Sequence, residues 1–160
     1  MGIPVEVQGS VLVHNKTVPT GFYQVSGIGT GLLYTTGDAF GGKFEIPVPL
    51  SGEIRTAVFL DKDDEGLEAD LVIFSRDFDA TADNAAFAVS DGDLQNFVTT
   101  ITFATFKNFA NNQTSTVGSV GVAYVAPERK LYCQMVTRGG PTIAAADTIP
   151  MVSLTILADE

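Results

Sequence analysis

Apolar and polar residues alternate along much of this chain, with the two-residue period of β-strands. Ile3, Val5 and Val7 alternate with polar residues near the start, and Val11 and Val13 repeat the pattern, which is typical of strands with one buried face. Gly, Pro, Asn and Asp separate the short strand-like runs that follow. These runs cover residues 22–25, 32–35, 44–48, 54–60, 67–74, 86–89, 99–106, 117–125, 130–137 and 151–157. So many short strands predict an all-β fold, an antiparallel β-sandwich that is jelly-roll-like.

One short helix interrupts this pattern, beginning near Ser90 and ending by Val98. Ser90 and Asp93 have the spacing of a capping box, and acidic residues favour the first turn of a helix. Gly92 and the following Thr99-Thr100 pair limit the helix to about two turns before the chain returns to strand.

Three other segments depart from simple alternation. The run LVIF at residues 71–74 is apolar at every position, which predicts a strand covered on both faces, either in the core or at a subunit contact. GDAFGG at 37–42 and NFANNQTSTVGS at 108–119 are rich in Gly, Asn and small polar residues, so we expect loops there.

The length of 160 residues suits a single domain spanning residues 1–160, and a chain of this size buries roughly 70% of its unfolded surface. Cys133 is the only cysteine, and it lies in an apolar run. An intramolecular disulfide is therefore excluded, and we expect a buried structural thiol.

Nine of the ten net negative charges lie in residues 61–93, which hold eleven acids against two bases. The bases elsewhere are scattered, so the chain lacks the cationic surface that phosphate binding requires, and nucleic acid is not an expected partner. No apolar run approaches the ~20 residues of a membrane span, and the first residues lack the pattern of a signal peptide. We therefore expect no membrane segment and no export.

The sequence DKDDEGLEADLV, residues 61–72, matches the calcium loop of an EF-hand in part. Asp61, Asp63 and Glu65 stand where oxygen ligands are required, and Gly66 fills the glycine position. Val72 stands where a bidentate Glu is needed, and strand-like runs flank the loop, so an EF-hand is excluded. Two readings stay open, a looser calcium site at Asp61, Asp63 and Glu65 or an exposed acidic turn that needs no metal.

Catalytic patterns are weak. His14 is the only histidine and lies far from Cys133 in sequence, so neither a Cys-His pair nor a multi-histidine metal site is indicated. GIGTG at residues 27–31 lacks the GxGxxG spacing of a nucleotide site and predicts a turn. The acids at 77, 79, 83, 91 and 93 stand among small, turn-forming residues, which favours capping roles. We expect no enzyme activity, no catalytic residues and no cofactor.

The segment TAVFLDKDDEGLEADLVIFSRDFDATADNAAFAVSDGDLQNFV, residues 56–98, resembles small virion structural proteins of tailed bacteriophages. Three parts carry the resemblance: the D-x-D-x-E-G-L turn with its flanking strands, the sequence ADNAAFA at 82–88, and the helix start D-x-D-L-x-N-F-V at 91–98. The closing residues 121–158 resemble the family more loosely, and the first fifty residues resemble it least.

The resemblance implies a structural piece of the virion. The expected role is a capsid decoration or cement protein that binds the major capsid protein on the outside of the head as a homotrimer. Such a protein is made in the host cytoplasm and ends on the capsid surface. A tail component is the alternative within the virion. Outside the virion, the acidic loop leaves open a calcium-dependent binding or adhesion module of β-sandwich type.

Overall fold

The computed structural model describes residues 16–65 and 68–159. These residues contain ten strands and one helical turn, joined by loops. The strand-like runs at 3–7 and 11–13 lie outside the described residues. The elements in chain order are β1 (Lys16–Gln24), β2 (Ala39–Pro47), β3 (Ser51–Asp61), β4 (Ala69–Phe74), α1 (Asp91–Leu94), β5 (Phe97–Phe103), β6 (Phe106–Phe109), β7 (Asn112–Val117), β8 (Val122–Val125), β9 (Lys130–Thr137) and β10 (Met151–Ala158).

The strands form two antiparallel sheets. The six-stranded sheet has the order β1-β10-β3-β7-β6, with β8 also paired to β3, and the four-stranded sheet has the order β2-β9-β4-β5. The chain passes between the sheets several times, so that neighbours within a sheet are mostly distant in sequence. The prediction of an all-β, antiparallel sandwich with one short helix is confirmed, whereas the more specific jelly-roll connectivity stays a prediction.

One hydrophobic core lies between the two sheets. Burial alternates along β3 and β10, and their inward side chains join those of β2, β4, β5 and β9 in a single cluster. At its centre the rings of Phe59 and Phe103, from opposite sheets, stack with centroids 5.3 Å apart. Burying a side chain of this size contributes roughly 1.5–3 kcal/mol to the free energy of folding. The alternating pattern of the sequence stabilises the sandwich because it places these side chains on the inner faces of both sheets.

Strand β4 is buried on both of its faces. Leu71 and Ile73 belong to the main core, while Val72 and Phe74 belong to a second cluster on the outer side of the four-stranded sheet. Residues 75–90, which we call the covering segment, fold over this side and place the Phe78 ring 4.2 Å from that of Phe74. A strand covered on both faces is thus confirmed, and the cover comes from the chain itself.

The helix is shorter than the sequence predicted. Ser90 is its N-cap, and its hydroxyl accepts a hydrogen bond from the backbone N–H of Asp93 at 3.1 Å. The helix ends at Leu94, whereas Phe97 and Val98 already lie in β5. The predicted end near Val98 is wrong because the Phe97 ring packs edge-on against Phe74, a contact with the neighbouring strand that the local pattern did not reveal.

Other local predictions fail for related reasons. Residues 32–35 form a loop, and residues 86–89 form only one bridge, between Ala86 and Asp38. The predicted loop at 108–119 instead contains the tight hairpin between β6 and β7, which Ala110 closes with a φ of 58°. Strand β7 is mostly polar and has no apolar run that would predict a strand. It is extended because it pairs with β3.

Phe59→Ala should lower the free energy of unfolding by about 3–5 kcal/mol, because the truncation leaves a cavity between the sheets. Leu94→Ala is a suitable control, since Leu94 is half exposed and should change stability by no more than about 0.5 kcal/mol. Urea unfolding followed by circular dichroism measures both. Equal effects would contradict the position of Phe59 in the core.

Candidate functional site

The acidic residues 61–93 do not form one continuous solvated face. Asp61 and Asp70 are buried, and several of the half-buried acids accept hydrogen bonds from other parts of the chain. Glu68, Asp79 and Asp91 are exposed. The segment therefore contains two kinds of acids, those that hold the fold together and those that give one side of the molecule its negative charge.

Asp61 is the buried anchor of the turn that follows β3. Its carboxylate accepts hydrogen bonds from the backbone N–H groups of Asp63 at 2.9 Å and Glu65 at 3.0 Å. It also accepts one from the side-chain amide of Gln113 at 2.7 Å, a buried residue paired with it on β7. The prediction of an exposed turn is wrong at Asp61. The three hydrogen bonds offset the free-energy cost of removing the carboxylate from water.

Asp63 and Glu65 fasten the same turn to a distant loop. The Asp63 carboxylate accepts from the backbone N–H of Ala144 at 2.8 Å, and the Glu65 carboxylate accepts from that of Thr142 at 3.1 Å. These bonds hold residues 141–145 against the end of the sandwich. The cavity beneath the turn, bordered by Asp61, Glu65 and Ile143, has a volume of about 10 Å³, room for no more than one water molecule.

The three calcium candidates are thus brought near one another, but each carboxylate has a protein donor. Gly66, the fourth residue of the proposed pattern, lies outside the described residues. Within residues 16–65 and 68–159, no group of three or more His, Cys, Asp or Glu side chains is arranged to hold a metal ion. The geometry favours the reading in which the turn needs no metal.

Asp83 ties the covering segment to the glycine-rich loop at residues 27–31. Its carboxylate accepts from the backbone N–H groups of Gly29 at 2.8 Å and Gly41 at 2.7 Å, and from the Tyr34 hydroxyl at 2.8 Å. Tyr34 is buried, and this burial together with the neighbouring carboxylate raises the pKa of its hydroxyl. The tyrosine therefore stays a neutral hydrogen-bond donor at physiological pH.

The backbone at Gly41 makes this contact feasible. Its φ is +82°, and a Cβ there would lie 2.6 Å from the carbonyl oxygen of Ser26. Only glycine fits, because a side chain would clash with backbone in a conformation that L-residues rarely adopt. No local pattern indicates that Asp83 bridges two glycines more than forty residues away, although all three are turn-forming residues.

Gln134 provides a second attachment for the covering segment. This fully buried side chain donates to the carbonyl oxygens of Thr81 at 2.6 Å and Gly41 at 2.9 Å, and accepts from the Thr81 N–H at 3.1 Å. A buried polar side chain in an otherwise apolar strand was the available signal for this role, since such a group must be paired.

Asp70 is held in a similar way on β4. Its carboxylate accepts from the Thr102 hydroxyl at 2.6 Å and from Nε and Nη2 of Arg138, both at 2.6 Å. Both guanidinium nitrogens contact the same carboxylate oxygen, Oδ2, while the Thr102 hydroxyl donates to Oδ1, and hydrogen bonds to an ionised carboxylate are stronger than those between neutral groups. Asp70 therefore joins β4, β5 and the end of β9, and it is not available to a ligand.

An acidic patch remains on the outer side of the covering segment. Asp77, Asp79 and Asp93 border an open depression of about 140 Å³ above Phe78. Lys43 pairs with Asp77 and holds the pKa of that carboxyl below its usual value, so it is charged at neutral pH. We call this surface the acidic patch. The depression is open and therefore does not enclose a small molecule.

The weak catalytic candidates do not assemble into a site within the described residues. Cys133 is fully buried, which confirms the structural thiol, and burial raises the pKa of that thiol. The reactive thiolate is therefore disfavoured. In the glycine-rich loop, the Gly29 N–H that could contact a phosphate already donates to Asp83. His14 lies outside the described residues.

Comparison with known proteins adds no relative: no family model, no curated protein and no solved structure matches this chain. Among the described residues, there is no helix with the length and apolar character needed to cross a membrane.

Asp83→Ala should lower the free energy of unfolding by about 2–4 kcal/mol, because three donors around a partly buried position lose their acceptor. Asp79→Ala removes the same charge from an exposed carboxylate and should cost no more than about 0.5 kcal/mol. Urea unfolding curves for both variants at one pH make the comparison. Similar small losses in both would show that the Asp83 bonds contribute little.

Calcium at millimolar concentration should leave the melting temperature unchanged, because Asp61, Asp63 and Glu65 already accept protein hydrogen bonds. Differential scanning calorimetry with calcium or with a chelator tests this. A rise of several degrees with calcium that Asp61→Asn and Asp63→Asn abolish would establish the calcium site instead.

Proposed function

We propose that this chain is a bacteriophage virion structural protein, a capsid decoration or cement protein that binds the outside of the head as a homotrimer. The resemblance of residues 56–98 to small virion proteins carries the proposal. Its partner is the major capsid protein, and its site of action is the surface of the assembled particle.

The roles of the motif residues support a structural function. Asp61 and Asp83 of the resembling segment accept hydrogen bonds that fasten separate loops to the sandwich, and Ser90 with Asp93 caps the helical turn before β5. A motif whose polar residues position loops is suited to a protein that presents a fixed surface. Binding through such a surface has a small entropic cost, because few side chains and loops must be ordered.

The acidic patch supports contact with a positively charged surface. Asp77 and Asp79 of the covering segment lie beside Asp93 of α1, and the wider stretch 61–93 carries nine of the ten net negative charges. Charge complementarity increases the association rate and selects the orientation of binding. In this proposal the acidic patch faces basic residues of the capsid shell, while apolar contacts supply most of the affinity.

The proposal predicts that the protein is present in purified virions, on the head, and that washing in 1 M salt weakens its attachment. At that salt concentration the screening length falls to roughly 3 Å, so that contacts made by the acidic patch lose most of their attraction. Cryo-electron microscopy of the particle locates the protein, and mass spectrometry of washed and unwashed virions measures its retention.

Asp79→Asn should reduce retention, and Glu68→Gln is the matched control, because it likewise removes one exposed charge but lies outside the patch. Cryo-electron microscopy density for the protein on the tail, and not on the head, would support the alternative role of tail component. Absence of the protein from purified virions would contradict the proposal.

A further inference from the structure

The outer side of the six-stranded sheet is a broad surface with aligned rows of side chains. In one row, Phe22, Ser153, Val58 and Thr116 are neighbours through the register of β1, β10, β3 and β7. The next rows centre on Met151 with Leu60, on Thr155, and on Leu157. We call this surface the open face. It combines Val, Leu, Met and Phe side chains with Ser and Thr.

Within the described residues, the apolar side chains of the open face are partly buried on β3 and β10 rather than enclosed in a core. Val58, Leu60, Met151 and Leu157 belong to neither of the two hydrophobic clusters, because they point away from the core that their neighbours fill. Phe22, at the edge, is 48% exposed. The corresponding side of the four-stranded sheet, in contrast, is covered by residues 75–90, so the two outer surfaces of the sandwich differ in kind.

The open face carries very little charge. At one corner Glu53 and Arg55 pair with each other, the Arg55 Nη1 lying 2.9 Å from the Glu53 Oε1. Lys107, opposite Thr114, is a further charge at the β6 edge. The acidic patch lies on the covering segment and on α1 beside it, on the far side of the sandwich. Two copies of a chain with net charge −10 would therefore approach each other with least repulsion through their open faces.

The size of the open face is suitable for such a contact. Five strands at about 4.8 Å spacing and about 8 residues of 3.3 Å each give a flat footprint of roughly 600 Å². This is on the scale of the about 800 Å² that one protein buries in a standard-size interface, and in a trimer two neighbouring copies share it. Outside the corner at Glu53, where an open depression of about 370 Å³ lies beside Ala123 and Val125, the face carries too little charge to select a charged partner.

We propose that the open face is the surface through which copies of this chain associate, so that a second copy is its occupant. The inference rests on the homo-oligomer part of the proposed function and is independent of the capsid. In the homotrimer each copy turns its open face towards the symmetry axis, and the acidic patches point outward, away from one another and towards other partners.

The test is the mass of the purified full chain by sedimentation equilibrium, with variants of the open face. Thr155→Glu places a like charge at the centre of the face, and Phe22→Glu does so at its edge. Each should raise the dissociation constant of the oligomer at least tenfold, because buried like charges oppose association. Leu94→Glu is the matched control, since Leu94 is similarly exposed, at 50%, but lies on α1 outside the open face. Its oligomer should be as stable as that of the unaltered protein.

The outcomes are distinct. An unaltered chain that is oligomeric and stays so in both open-face variants overturns the inference and leaves the homotrimer intact, with another surface as its interface. A monomeric unaltered chain overturns both the inference and the homotrimer. If a chain lacking residues 1–15 associates where the full chain does not, a second copy is not the natural occupant, and the inference also fails. Circular dichroism melting of each variant verifies that the altered chains are folded.

Discussion

Val72 and Phe74 point outward from a central strand, and shielding these side chains from water determines much of the remaining structure. Residues 75–90 fold back over the sheet to cover them, which brings Phe78 onto Phe74. A covering segment without regular secondary structure cannot satisfy its own backbone groups. Gln134 on β9 bonds the N–H and C=O of Thr81, and the Asp83 carboxylate of the covering segment accepts from backbone N–H groups of the loop and strand beside it. The polar residues of this region are therefore a consequence of covering an apolar surface with irregular chain.

Hydrogen bonding to backbone N–H groups in loops accounts for several of the acids in residues 61–93. A carboxylate offers two oxygens to backbone N–H groups that point the same way, and it needs no donor of its own. Asp61 accepts from two N–H groups of its own turn and from Gln113 on β7, and Asp83 accepts from three donors within residues 29–41. Acids that fasten loops are interspersed with acids that remain in solvent, so one stretch supplies both internal hydrogen bonds and the acidic patch.

Covering one sheet and leaving the other open produces a two-sided molecule. The covered side carries the acidic patch, and the open side presents uncharged rows of Val, Leu, Met, Ser and Thr from β10 and β3. Electrostatic repulsion would oppose self-association through the covered side. The open side carries little charge, so repulsion there is weak. The two proposals use these sides separately, the acidic patch for the capsid and the open face for other copies of the chain.

The sequence by itself determined the class of the fold, the doubly buried strand at 71–74, the structural cysteine and the helix cap at Ser90, because each follows from local periodicity or a short spacing. It did not determine the hairpin at Ala110, the early helix end before Phe97, or the burial of Asp61. These features depend on contacts with strands and loops that are distant in the chain. Local sequence patterns do not predict such contacts. The link from Asp83 to Gly29 and Gly41 shows the reason most clearly: three unremarkable turn residues become one hydrogen-bonded group only when the tertiary fold brings them together.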